Sequence, residues 1–455
     1  MKDDLDGWTW NSSGTESEDP PVVGPDGRVP RIRRSPAESA RATAAWVRVR
    51  AVKLVTVAVV LALAIGGWQT YTYLTRYHEQ MSGPHGDFPA ALGSSAPVKP
   101  SRVVANFEGS MSGIAGGLYL HEEPRGVTAF SLRTGKSYWH YGREKTGLVD
   151  VTNSRDTVVL SFDDQLVVGI DAHSGKPRWH VKVPGDAKSG QSRLWLDKDT
   201  VILSQPASVT ALAVHDGKRL WTAPPPKGCR KWAVRAPVAL KDVVAYRATD
   251  CEGSSDEYVL SGMDRSTGHP RWQLKDEITG YWRLDDHTMA TASVRDALVV
   301  TDVSGSRPRT RSTALSNDLS LGYADDNIMV FDSSNSRTLT AIRVTADRNR
   351  TAWTHPAAKG LEFGRPWIAD GRVYVTQGVP PLDARRDKVP ASARLLVLDA
   401  RTGHELSRAD LPKSLFQGEN EDQRSLPAIR GAGSGVVLIG WADFAFSSVD
   451  LALAE

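Results

Sequence analysis

Cysteine is nearly absent. The 455 residues hold two, Cys229 and Cys251, and no CxxC pair. That spacing excludes a close-set thiolate zinc site and a haem attachment motif. A charge excess is missing too: the formal net charge of +3 leaves no bulk electrostatic footprint for nucleic acid, and no nucleic-acid partner is expected. There is no Gly-rich phosphate loop, no HExxH and no GxSxG. Acidic pairs occur at Asp163-Asp164, Asp285-Asp286 and Asp325-Asp326. Their loop settings read as solvated turn residues. Histidines are scattered. His140, His173, His180 and His215 fall in or beside turns and read as surface positions rather than ligands of a shared site.

Long hydrophobic runs are also scarce, with one exception. Leu54 to Leu74 carries no charge, and its length suffices to span a hydrocarbon core as a helix. Trp68, Tyr71, Tyr73 and Tyr77 crowd its C-terminal side, while Arg41, Arg48, Arg50 and Lys53 precede it. The positive-inside rule then places the N-terminus in the cytoplasm and the chain beyond the span outside. The long preceding segment and the full-length span favour an uncleaved anchor over a signal peptide. The expected organisation is a disordered cytoplasmic tail over 1–50, a single transmembrane helix over 51–75 in the cell membrane, a flexible Gly/Pro/Ser/Ala-rich stalk over 76–101, and a folded extracytoplasmic domain over 102–455.

What is abundant is repetition. VVGIDAHSGKPRW, from Val167 to Trp179, reads as a strand, a tight turn and a second strand opened by tryptophan. The phrase recurs at Gly135 and Trp139, Gly217 and Trp221, and Gly268 and Trp272. It recurs at Trp353 without the glycine, at Gly403 without the tryptophan, and as a worn copy from Ala297. An interval of about 40 to 50 residues signals one four-stranded blade per repeat. In the second unit the strands fall at Gly147–Val151, Thr157–Phe162, Leu166–Ala172 and Arg178–Val183.

Counting units gives an all-β, eight-bladed propeller; seven is the alternative if the degenerate fifth unit forms no blade. The final unit supplies three strands, and Val449-Asp450 is set in the place of Ile170-Asp171. KPSRVVANF at Lys99–Phe107 resembles KPRWHVKV at Lys176–Val183, so Val103–Phe107 is expected to close the last blade and remove an exposed sheet edge.

The signature A-x-D-x-x-T-G-x-x-x-W, carried best by Asp171–Trp179 and Asp399–Gly403, resembles the PQQ-type, quinoprotein-like β-propeller repeat. The resemblance implies that the tryptophans and glycines lock neighbouring blades and are not catalytic. Dehydrogenases of that family hold a quinone and calcium, often against adjacent cysteines, which this chain lacks. No cofactor, metal or catalytic residue is therefore assigned. The expectation is a non-enzymatic, membrane-anchored branch, and an arginine-rich, alanine-rich composition fits an actinobacterial source. The role expected is a protein-interaction scaffold or ligand-binding module with an unknown protein partner at the cell surface. Two rivals remain: a PQQ- and calcium-dependent dehydrogenase, and a sensor signalling through residues 1–50.

Alternating strand direction divides the loops between two faces. The turns between strands three and four lie on one. Cys229, Cys251 and the long loop Gly378–Arg394 lie on the other, with the acidic link Gln417–Gln423. Outside a membrane the two cysteines are expected to form a disulfide. Asp383, Arg385, Arg386, Asp387 and Lys388 are the candidate partner-binding residues. The closing strand suggests that the stalk arrives at the turn face, pointing the loop-rich face away from the membrane.

Overall fold

The computed structural model describes Val59 and residues 77–455, apart from 109–110, 185–191, 234–236, 252–257, 277, 294–296, 306, 315–322, 326, 333–335, 346–347, 381–382, 384–391, 417–425 and 442–448. Apart from Val59, the expected tail and membrane helix fall outside the described residues, as do Arg385, Arg386, Asp387, Lys388 and Gln417–Gln423. Among the described residues no helix is long and apolar enough to cross a membrane.

Tyr77–Glu455 forms one unit of eight antiparallel sheets, so the fifth repeat does make a blade. Blade two has the grammar read from its sequence: Leu148–Asn153, Thr157–Phe162, Leu166–Asp171 and Pro177–Lys182, each paired with the next. The worn unit gives Ile278–Arg283, Thr288–Ser293, Ala297–Asp302 and Arg309–Ala314. First strands of successive blades lie against one another, as at Met111–Ala115 with Leu148–Asn153, and these with Arg193–Asp197.

Each blade is buried on both faces, which is why its middle strands read as unbroken apolar runs rather than alternating ones. Val158, Val159 and Leu160 are all fully buried: Val158 and Leu160 face blade one, while Val159 faces blade three. The core is thus a series of slabs between neighbours. One joins Leu120, Ala129, Trp139 and Tyr141 to Leu160, Val168 and Ile170; the next joins Val159 and Trp179 to Val201 and Leu212.

The ring closes as expected. Arg102–Glu108 pairs antiparallel with Val449–Ala454, with Arg102 opposite Ala454 and Phe107 opposite Asp450. One register differs from that expected of the sequence. Val436 faces Ala454 as Thr157 faces Asp171, so Ala454, not Asp450, takes the place of Asp171.

The segment expected as a flexible stalk is instead a strap bound to the propeller. Glu79–Ser82 adds a fifth strand outside Ser137–Arg143 of blade one, from Glu79 opposite Arg143 to Ser82 opposite His140. The strap then crosses the turn face. Phe88 stacks on His173, with ring centroids 3.9 Å apart. Arg133 donates to the carbonyls of Ala90 and Ala91, and Gly93 N–H to that of Ser434. Ala96 N–H donates to Asp370, Arg372 to the Ala96 carbonyl, and the Tyr374 hydroxyl to the Pro97 carbonyl. Backbone groups make most of these bonds, so no side-chain period announces them. Gly117 and Gly435 admit the strap: a β-carbon there would lie 2.0 Å from the Pro89 carbonyl oxygen or 2.3 Å from Gly93 N.

The arrival point is corrected as well. The Tyr77 carbonyl accepts from Arg143 Nε at 3.0 Å, and Arg143 pairs with Asp164 in the turn between the second and third strands of blade two. The described chain therefore begins at the loop-rich face and crosses to the turn face through Glu79–Ser82.

Candidate functional site

The repeat residues converge on the seams between blades. In three of the repeat turns an aspartate caps the backbone; Ser131 Oγ does so before Gly135, and Ala213 stands at that position before Gly217. Asp171 Oδ1 accepts from the N–H groups of His173 and Ser174 at 3.0 and 2.8 Å. Asp264 does the same for Ser266 and Thr267, and Asp399 for Arg401 and Thr402. The side-chain hydrogen bond from Ser266, aided by Arg271 and Thr267, holds the Asp264 carboxyl far below the usual range. Burial pushes the Asp171 carboxyl up, but hydrogen bonds from Arg178 and Ser174 outweigh it and leave it low.

Turn geometry places a glycine with positive φ beneath the tryptophan of the preceding blade. Gly175 sits under Trp139, Gly217 under Trp179, Gly268 under Trp221 and Gly403 under Trp353; an added β-carbon would come within 2.6–2.7 Å of each ring. The indole N–H groups donate across the same seams: Trp139 to Ala172 O at 2.7 Å, Trp179 to Val214 O and Trp221 to Arg265 O at 2.8 Å, and Trp353 to Ala400 O at 2.9 Å. A bulge one residue before each tryptophan aims the ring into the seam and, except at the buried Tyr138 beneath Phe88, the preceding side chain outward. Leu220 and Leu406 occupy that bulge position, which accounts for their exposure.

The exceptions follow from the same geometry. Gly135 has φ of 65° but nothing above it, because the outer strand of blade eight, Arg102–Glu108, carries no tryptophan. Trp272 faces the worn unit, and its buried N–H finds no acceptor. In blade seven Ser407 stands at the tryptophan position and donates to Val98 O in the strap at 2.6 Å. Glu455 accepts from the N–H groups of Val98 and Lys99 at 2.5 and 3.0 Å, repeating with separate pieces of chain what Asp171 does within one turn.

Cys229 and Cys251 form a disulfide, and they are directly opposed in the ladder between Cys229–Trp232 and Val243–Cys251. They thus end strands rather than sit in loops. Asp383 is half-buried. The candidate histidines do not meet: His173 stacks on Phe88, His140 bonds Thr128 at 2.9 Å, His215 lies exposed 3.8 Å from Asp199, and His180 is buried against Glu79. The acidic pairs serve structure. Asp163 accepts from Gly147 N–H, Asp164 pairs with Arg143, Asp285 caps Thr288 and Asp286 pairs with Arg283; the side chains of Asp325 and Asp326 lie outside the described residues. Among the described residues, no three His, Cys, Asp or Glu side chains are grouped to hold a metal.

One cluster escaped the sequence reading. Burial, with the Asp150 carboxylate beside it and Arg193 opposing, pushes the Glu122 carboxyl up to about 7. Burial likewise raises Asp150, whose Oδ2 accepts from Leu194 N–H at 2.5 Å. These residues sit on three different blades, and nothing in the repeat marks them.

Comparisons with known proteins agree with this architecture. A family model described as outer membrane protein assembly factor BamB matches residues 101–231. No curated protein sequence matches the chain. Among solved structures, BamB from Moraxella catarrhalis is 14% identical over 78% of this chain and 99% of that one, with a TM-score of 0.47. The computationally designed Ika8 protein is 10% identical over 79% and 100%, with a TM-score of 0.50. Quinohemoprotein alcohol dehydrogenase from Comamonas testosteroni is 12% identical over 82% and 76%, with a TM-score of 0.46. Likeness at these identities is one of fold. Blades and seams together define the class as a PQQ-like β-propeller with eight four-stranded blades. Within that class, the particular likeness of residues 101–231 is to the assembly-factor repeat.

Proposed function

We propose that the propeller is a non-catalytic scaffold for protein partners, held on the extracytoplasmic side of the cell membrane by the apolar stretch Leu54–Leu74. The observation that carries this reading is the fate of the repeat's polar side chains. Asp171, Ser174, Asp264, Thr267, Asp399, Thr402 and the seam tryptophans are engaged in turns and blade contacts. They make a stiff platform, and a stiff platform serves binding by its surface. The likeness of residues 101–231 to an outer membrane protein assembly factor supports an assembly role of the same kind. Partners are expected on the loop-rich face, around the Cys229–Cys251 disulfide and Asp383.

The test uses the full chain in lipid nanodiscs, titrated calorimetrically with PQQ plus calcium and assayed with an artificial electron acceptor on simple alcohols and sugars. No saturable binding and no turnover are expected, together with a discrete protein adduct when a photocrosslinker replaces Asp383. Saturable quinone binding with dye-linked oxidation would overturn the scaffold reading in favour of a tethered dehydrogenase.

A further inference from the structure

The strap carries one buried acid. Glu79 opens the added strand Glu79–Ser82, and its side chain is wholly inaccessible. Its Oε1 accepts from the Tyr141 hydroxyl of blade one at 2.6 Å and from His180 Nε2 of blade two, whose side chain is 1% exposed. Its Oε2 is buried with no hydrogen-bond partner. Tyr77, two residues earlier in the strap, stacks on the His180 ring with centroids 4.6 Å apart and planes 5° apart. Arg143 of blade one, opposite Glu79 in the strand register, is committed elsewhere: it bonds both carboxylate oxygens of Asp164 in blade two, at 2.7 and 3.1 Å, and the Tyr77 carbonyl. Three elements therefore meet at one carboxylate, and among the described residues its paired cation is His180.

Oε1 receives both hydrogen bonds and Oε2 none, so a carboxylate here faces the His180 ring, where an imidazolium would oppose its charge and a neutral imidazole would not. A buried carboxylate is tolerated when paired and strongly destabilising when its partner's charge is removed. The added strand is short, with four register pairs to blade one, and it is flanked by the bonds of Glu144 N–H to the His78 carbonyl and of His85 N–H to the Tyr138 carbonyl.

We propose that Glu79, His180 and Tyr141 form a proton-operated latch that holds the strap strand on the rim of blades one and two. When His180 gives its proton to solvent, Glu79 is left buried without a counter-charge. The strand Glu79–Ser82 then leaves the edge of Ser137–Arg143, carrying Tyr77 off the His180 ring. The sign is fixed: stability from the pair is present while the imidazole is charged and is lost as pH rises. Release frees the outer edge of blade one along Ser137–Arg143 and leaves the eight blades intact.

The test is amide hydrogen exchange on the full chain from about pH 5.5 to about pH 9, corrected for intrinsic exchange rates. Protection of residues 79–82 is expected to fall about tenfold or more across that range, while the blade-five strands Thr288–Ser293 and Ala297–Asp302 stay constant. His180→Gln keeps a donor without the titrating charge, and Glu79→Gln removes the need for one; each is expected to flatten the profile. A flat wild-type profile, or a profile that persists in His180→Gln, overturns the latch. Should a variant lose protection in blade five as well, the wild-type profile decides alone.

Discussion

The indole nitrogen of Trp179 donates to the Val214 carbonyl at 2.8 Å, and the same ring covers Gly217, where a β-carbon would approach it to 2.6 Å. One residue thus satisfies a buried polar pair and fills the seam between blades two and three. The same relationship at four seams lets substitutions be compared within one molecule.

Glycine at the seam does two things, and they separate at Gly135. Gly175 needs both its positive φ and the space under Trp139; Gly135 needs only the φ. Gly175→Ala is expected to cost about 3 kcal/mol and Gly135→Ala about 1 kcal/mol in denaturant-melt stability. Equal losses would mean that the ring contact contributes nothing.

The tryptophans offer a second internal comparison. Trp179→Phe removes a buried hydrogen bond and strands the Val214 carbonyl, an expected loss of about 2 kcal/mol. Trp272→Phe removes an N–H that has no acceptor, so its loss should be smaller, about 1 kcal/mol or less. Thermal melts of the two variants at one pH and salt check the order.

Glu122 sets a pH dependence of opposite sign to that of the capping aspartates. Its carboxyl is pushed up to about 7, so the folded chain keeps a proton that the unfolded chain releases. Stability from this group is present below the ordinary glutamate range and is lost as pH rises to about 7, an effect on the order of 2 kcal/mol. Glu122→Gln should therefore raise Tm at pH 7.5 and leave it nearly unchanged at pH 4.5. Asp171 and Asp399, held low, lose their contribution as pH falls below the ordinary aspartate range.

The Cys229–Cys251 bond closes a loop with a sequence separation of 22. Chain-entropy arguments give such a bridge about 3 kcal/mol. Reduction, or Cys229→Ser with Cys251→Ser, should lower the melting temperature while the far-ultraviolet spectrum is kept. An unchanged melt would show that the paired strand ends hold blade four unaided.

Much of this fold is legible because the repeat encodes a turn. Asp171, Gly175 and Trp179 fix a cap, a left-handed residue and a bulged ring within one short stretch, so the blade, its neighbour and the closing strand can all be read from it. The strap is not legible for the opposite reason. Residues 83–101 bind through amides and carbonyls, which every sequence possesses, and their receptors Gly117 and Gly435 look like ordinary turn glycines. His180 reads as a surface position because Glu79, 101 residues away, lies in a segment with no period. Glu122, Asp150 and Arg193 likewise belong to three repeats whose signatures say nothing of them.

The closure of blade eight also sets an order of events during synthesis. Arg102–Glu108 is among the first parts of the propeller to leave the ribosome, yet its partner Val449–Ala454 is among the last. The bond between Val98 and Glu455 spans 357 positions. Blades one to seven can each form from local hairpins, but the ring cannot shut until the final strand is released, and closing so long a loop is slow. Until then, blade one and blade seven each present an uncovered flank, which makes the nascent, nearly complete chain the species most in need of a chaperone.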